Sequence, residues 1–246
     1  MSGAAASGSF RYEGRDLEAM DFAVNYHRLI LETFRPYLGA RVVEVGAGSG
    51  SFTRLLAAEP IAALTAIEPA PEMFARLQGT VSGLRGDVAV SAVNGYLDDF
   101  SAQLRGGGVS SCVLVNVLEH VEDDVAELAR VREVLDAGGH ACLFVPALMA
   151  LYSPFDEAIG HIRRYRKQEL EDKCAAAGLT VCHARYFDLL GILPWLVRFK
   201  LLRARGLGAG SVRAYDSLGV RLMRMLESRV APPVGKNVIV VARRDT

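Results

Sequence analysis

Apolar and polar positions along this chain alternate between two regimes. Short, nearly continuous apolar runs at 41–45, 63–67, 88–93, 111–115 and 139–145 predict buried strands. Between most of them, residues near 50–58, 71–78 and 123–135 show the apolar spacing of helices. Upstream, Leu17 to Tyr37 has the same helical spacing and meets a stop at Pro36-Tyr37-Leu38-Gly39. Downstream, a helix at 167–177 and strands near 180–186 and 236–242 complete the order. Strands that are apolar on both faces belong to parallel sheets covered by helices on each side. The pattern therefore predicts a doubly wound α/β sheet.

Residues 187–235 break the alternation. An apolar stretch from Leu189 to Val197 leads into two helical patterns carrying Arg198, Lys200, Arg203, Arg205, Arg213, Arg221, Arg224 and Arg229, opposed only by Asp188, Asp216 and Glu227. Three readings fit this composition: a lid or dimerisation element, the solvated basic face of ordinary helices, or a surface that touches anionic lipid.

Composition narrows the class. At 246 residues and 51% hydrophobic content, one large α/β domain with an inserted lid is expected over 17–246, after a polar tail at 1–16 read as disordered. The formal charge is zero, so no overall field favours nucleic acid. Cys112, Cys142, Cys174 and Cys182 form no C-x-x-C pair and read as free thiols of a reducing compartment. The N-terminal stretch lacks the apolar centre of a signal peptide, and no apolar run reaches the roughly 18 residues that span a bilayer. The expected location is cytoplasmic.

Candidate chemistry concentrates at Val42-Val43-Glu44-Val45-Gly46-Ala47-Gly48-Ser49-Gly50, with Glu68 closing the next strand. Glycines between a strand and a helix permit a sharp turn and let a ligand approach the backbone, and an acid at the next strand tip suits the paired hydroxyls of a ribose. A dinucleotide fingerprint has the spacing G-x-G-x-x-G/A, whereas here the glycines fall at every second position and Phe52 follows. Glu44 would repel a pyrophosphate but attract an ammonium. An ammonium-bearing nucleoside with a cationic sulfur, S-adenosylmethionine, satisfies both conditions.

On these residues the chain resembles the class I S-adenosylmethionine-dependent methyltransferases, particularly bacterial enzymes of small-molecule and natural-product pathways. "VVEVGAGSGSFT" at 42–53 is similar to the family's first motif, "AIEP" at 66–69 to its second-strand acid, and "NGYLDDF" at 94–100 to its adenine-cradling region. "VLVNVLEHVEDD" at 113–124 is similar to its fourth strand and following turn. The resemblance implies a seven-stranded Rossmann-like sheet whose last strand is antiparallel beside the fifth. It also implies transfer of a methyl group to an O, N or C nucleophile of a small molecule. A peptide or lipid-linked acceptor, and a non-catalytic cofactor-binding module, are the alternatives. One departure is Gly95-Tyr96, where many relatives have Gly-Asp contacting the adenine amine; Asp98 or the backbone is left to supply that contact.

The cofactor set read from the motifs is Glu44 for the methionyl ammonium, Gly46, Gly48 and Gly50 for backbone approach, and Glu68 for the ribose. Gly95, Tyr96 and Asn116 join it by resemblance, as does Tyr26, where related enzymes place an aromatic against the cofactor carboxylate. Met73 reads either as an adenine contact or as core. On the acceptor side, His120 follows strand four and reads as a base or as a loop-fixing group. His161 lies with Tyr152, Asp156, Arg163 and Arg164 in the loop after strand five, and is the first candidate base; a salt-bridge cluster among those charges is the competing reading. His27, His140 and His183 read as surface or strand-edge residues, and no spacing suggests a metal. A small-molecule acceptor is the expected partner, with no nucleic acid, and with the chain a monomer or homodimer.

Overall fold

The computed structural model describes residues 23–204, 206, 209–227, 229 and 231–246. The expected tail at 1–16 and the first residues of the helix expected from Leu17 lie outside them. Helix α1 is described over Val24–Phe34 and ends in a 3₁₀ turn, Arg35–Tyr37, at the proline. The chain then alternates β1 (Arg41–Val45), α2 (Ser51–Leu56), β2 (Ala63–Glu68), α3 (Pro71–Ser82), β3 (Ala89–Asn94), α4 (Leu97–Leu104), β4 (Ser111–Val115), α5 (Asp124–Val134) and β5 (His140–Pro146). A short α6 (Pro154–Ala158) and α7 (Lys167–Ala176) precede β6 (Thr180–Phe187).

Between β6 and β7 (Asn237–Arg243) runs a helical segment. It comprises α8 (Ile192–Trp195) with a π-helical continuation (Leu196–Leu201), α9 (Ala209–Ala214) with a π-helical turn (Tyr215–Gly219), and α10 (Val220–Glu227). The seven strands order as β3-β2-β1-β4-β5-β7-β6. β1 through β5 pair in parallel, and β7 lies antiparallel between β5 and β6.

Why this sheet forms is visible in β1. Val42, Val43 and Val45 are buried, as expected of a central strand paired on both edges, and alternate side chains serve opposite faces. Val43 and Val45 join a core with Leu128 and Val131 of α5 and Leu170 of α7. Val42 joins the other core with Ile30 and Phe34 of α1, Phe52 and Leu56 of α2, and Met223 of α10. Deleting one of these buried leucines would cost about 2–5 kcal/mol.

The strand order reverses between β1 and β4, so the loops after their C-terminal ends open a crevice there, where ligands bind in open α/β sheets. The helical segment is held over that end by inward-facing carboxylates. Asp216 accepts hydrogen bonds from the Tyr26 amide at 2.9 Å and the Asn25 side chain at 2.9 Å. Glu227 accepts from the Leu189 amide at 2.9 Å and pairs with Arg185 at 2.8 Å.

Candidate active site

The loop after β1 is built by its glycines. The amides of Gly46 and Ala47 donate to Ile67 O, both at 2.9 Å, which ties the loop to the end of β2. Gly50 has φ +87, and a Cβ there would stand 2.8 Å from Thr80 Cγ2, so α3 packs where a side chain would be. Gly48 differs: its φ is +57, and a Cβ would meet nothing within 4 Å. Its open side leaves room for the approach to the backbone that the glycine spacing predicts.

Two carboxylates sit beneath this loop. Glu68 accepts from the amides of Gly48 at 2.7 Å and Ala70 at 2.8 Å. Burial raises its carboxyl above the ordinary range, against the pull of those two amides. Glu44 accepts from Thr53 Oγ1 at 2.6 Å, and burial pushes it up to about 8, opposed by the Thr53 bond and reinforced by Glu68. Among the described residues no cation offsets either group. Two buried acids with no compensating charge suit a ligand that brings an ammonium and hydroxyl donors.

Asn116, at the end of β4, adopts φ 55, an uncommon conformation for a residue with a side chain, and its amide donates to Phe144 O at 2.8 Å. Gly95 keeps a φ of 151, where a Cβ would stand 2.7 Å from Asp99 Oδ2. Asp99 instead accepts the Tyr96 amide at 2.7 Å and caps α4, while the Tyr96 side chain is exposed. Met73 is buried on α3.

A cavity of about 580 Å³ lies between the C-terminal ends of β4 and β5 and the helical segment. Tyr26, Asn116, His120 and His161 line it, together with apolar side chains such as Phe144, Phe155 and Trp195. Tyr26 is buried edge-on to Phe144 and Phe187, and its hydroxyl bonds with Asp188 at 3.0 Å and Asn237 at 2.9 Å. That hydroxyl is thus engaged in joining α1 to the end of β6.

The acceptor side is a chain of acids and imidazoles. His161 Nδ1 lies 3.0 Å from Asp156 Oδ1, which Arg164 also engages at 2.8 Å. Burial pushes Asp156 up, but the bonds from His161 and Arg164 outweigh it and hold the acid below its usual range. His161 Nε2 lies 3.6 Å from Glu119 Oε1. Glu119 is 0% exposed, both its oxygens lack a hydrogen-bond partner among the described residues, and burial pushes it up to about 7. His120 Nδ1 faces Gly160 O at 3.1 Å, so its Nε2 carries the lone pair. Burial, then the neighbouring His161, drives His120 down to about 4, which keeps it neutral. The two rings stand edge to face at 4.8 Å. Tyr152 is half-buried and donates to His161 O at 2.7 Å, so it braces that loop and does not line the cavity.

Glu119, His120 and His161 bring ligand atoms within 4.8 Å of one another, a spacing that a divalent cation can span. Sequence spacing could not reveal this, because His161 arrives from a different loop. His27, expected at the surface, is buried on α1 with its ring edge-on to Phe52. The salt-bridge reading of the loop also holds in part: Asp156 pairs with Arg164, whereas Arg163 reaches across to Asp124 at 2.7 Å.

Residues 43–141 match a family model described as a methyltransferase domain. Over that stretch the chain is similar to a methyltransferase domain. A curated relative of the chain is a ubiquinone biosynthesis O-methyltransferase from Xylella fastidiosa (strain 9a5c), 33% identical over 126 residues. The match covers 50% of this chain and 48% of the relative, so the chain spans about half the length of the curated relatives it matches. Among solved structures, a SAM-dependent methyltransferase from Archaeoglobus fulgidus superimposes with a TM-score of 0.61 at 15% identity, covering 92% of this chain and 98% of that one. A cyclase, SpnF, superimposes with a TM-score of 0.57 at 18% identity over 99% of this chain and 88% of its own. At these identities the chain shares the fold of both, and chemistry must be argued from the site.

Proposed function

We propose that the protein moves a methyl group from S-adenosylmethionine to a small, largely apolar acceptor held in the 580 Å³ cavity, the acceptor atom being an oxygen that must lose a proton. The observation that carries this reading is the Asp156–His161–Glu119 chain on the wall of an apolar cavity, beside the strand ends where a cofactor belongs. The name of the Xylella fastidiosa relative, an O-methyltransferase, supports the same acceptor atom.

Bound S-adenosylmethionine supplies an electrophilic methyl group on a cationic sulfur. The chain's own residues do the rest. Glu44 and Glu68 give the nucleoside and its ammonium their partners, and Gly48 leaves room for the approach. The apolar walls align the acceptor and exclude water, which is most of what an in-line displacement requires. A hydroxyl acceptor arrives protonated, so a base is needed. His161 Nε2 can take that proton while Asp156 stabilises the imidazolium through Nδ1. His120, kept neutral by burial, accepts a hydrogen bond at Nε2 and orients the acceptor. Gly95 and Asn116 complete the cofactor set at the ends of β3 and β4, and Tyr96 remains in it through its backbone. Tyr26 positions α1 against the cofactor's methionyl end, and Tyr152 fixes the loop that carries His161.

The test is S-adenosylhomocysteine release with phenols, catechols, amines and keto acids as acceptors. His161→Ala should lower turnover on the best hydroxyl acceptor by about 10²–10⁴-fold with cofactor affinity unchanged. Wild-type turnover in that variant would return the loop to a structural role.

A further inference from the structure

The outer face of the helical segment between β6 and β7 is apolar where a surface should be polar. On the first helix Leu193, Val197, Leu201 and Leu202 are exposed, the last two at 76% and 71%. On the second, Leu218, Leu222, Met225 and Leu226 are exposed, while Val212, Val220 and Met223 face the core. Surface leucines scattered singly need no explanation, but two helices each presenting a stripe of them form a patch that marks an interaction site.

Charge narrows the occupant. The segment's three acids are spent inward: Asp188 on Lys236 and the Tyr26 hydroxyl, Asp216 on α1, and Glu227 on Arg185 and the Leu189 amide. Arg198 and Lys236 turn toward the cavity, but Lys200, Arg203, Arg213, Arg221 and Arg224 are all exposed. One of them, Arg224, reaches Glu32 in a surface pair. The outward field is therefore positive on a chain whose total charge is zero. A second copy of the same face would bring cation against cation, which argues against self-association there. Exposed apolar side chains set among Lys and Arg are what interfacial helices present to anionic lipid.

We infer that this face seats on a negatively charged phospholipid surface. The apolar stripes enter the headgroup boundary and the cations meet the phosphates. The cavity supports the same placement: Pro194, Leu218 and Leu222 line it and are themselves exposed, so it reaches the surface inside the patch. An apolar acceptor can then pass between bilayer and cavity without crossing water. This last step rests on the methyl-transfer reading, whereas the docking surface does not.

Flotation with vesicles tests it. The full-length protein is mixed with vesicles of phosphatidylcholine alone or of phosphatidylcholine with phosphatidylglycerol. Partition should be about tenfold greater onto the anionic vesicles and should fall as salt is raised. Leu201→Asp combined with Leu202→Asp should lower it about tenfold, as should Arg221→Glu combined with Arg203→Glu, with thermal melting and S-adenosylmethionine affinity unchanged. No partition, or equal partition onto both vesicles, overturns the inference. So does a dimer in solution that the double aspartate variant dissociates, since the occupant would then be a second copy. Failure to bind S-adenosylmethionine in a protein that still floats would sink the methyl-transfer reading alone.

Discussion

Glu68 shows how one side chain can tie a loop together and still leave room for a ligand. Each carboxylate oxygen accepts one backbone amide, Gly48 or Ala70, and keeps a second lone pair, which the methyl-transfer reading assigns to a ribose hydroxyl. Glu68→Ala should therefore weaken S-adenosylmethionine binding by about 1.5–3 kcal/mol, read by isothermal titration. Unchanged affinity would remove Glu68 from the site. Glu44 and Glu68 were legible in the sequence because both sit at strand ends, where position fixes direction. His161 was legible as a candidate along with Asp156 of its own loop, but Glu119 was not. Glu119 reaches it from the turn after β4, and contacts across loops leave no periodicity to read. The engaged hydroxyl of Tyr26 was equally hidden, since Asp188 and Asn237 lie far along the chain.

At the scale of elements, hydrophobic period recovered every strand and most helices because the sheet is buried on both faces. Helix α4 was missed for the converse reason: among its residues only Leu97 is buried, and its start is set by a capping box between Tyr96 and Asp99. Helix α6 was missed as well, being one short turn begun by Pro154 and capped by Ser153 and Asp156. Helix α3 runs four residues past the predicted end because Thr80 packs under the glycine loop and donates to Ser49 O at 2.8 Å. That packing makes Gly50 a structural position. Gly50→Ala should destabilise the protein by about 1–3 kcal/mol in chemical denaturation, through strain at positive φ and the clash with Thr80. A variant as stable as the parent would show that the loop has room to spare.

For the molecule as a whole, buried acids set the response to pH. Glu119 and Glu44 are pushed up to about 7 and about 8, so the native state holds protons that the unfolded chain has released. Their contribution is full below the unfolded carboxylate range and is lost as pH rises through 7 and 8. Glu119→Gln should remove part of this slope. In denaturant titrations the variant should gain on the parent between pH 5 and 8, by up to about 3 kcal/mol at 1.36 kcal/mol per pKa unit. Parallel curves would mean that Glu119 finds another way to shed its charge. The sequence exposed the segment between β6 and β7 as a break in the alternation, but not the cavity beneath it, which exists only once the sheet, α1 and that segment meet. Its two ends leave and return at Phe187 and Asn237, which face one another across paired antiparallel strands. Such an excursion is a cassette: on the methyl-transfer reading, exchanging it for another of different length would reshape the acceptor cavity while the seven-stranded frame keeps its strand order.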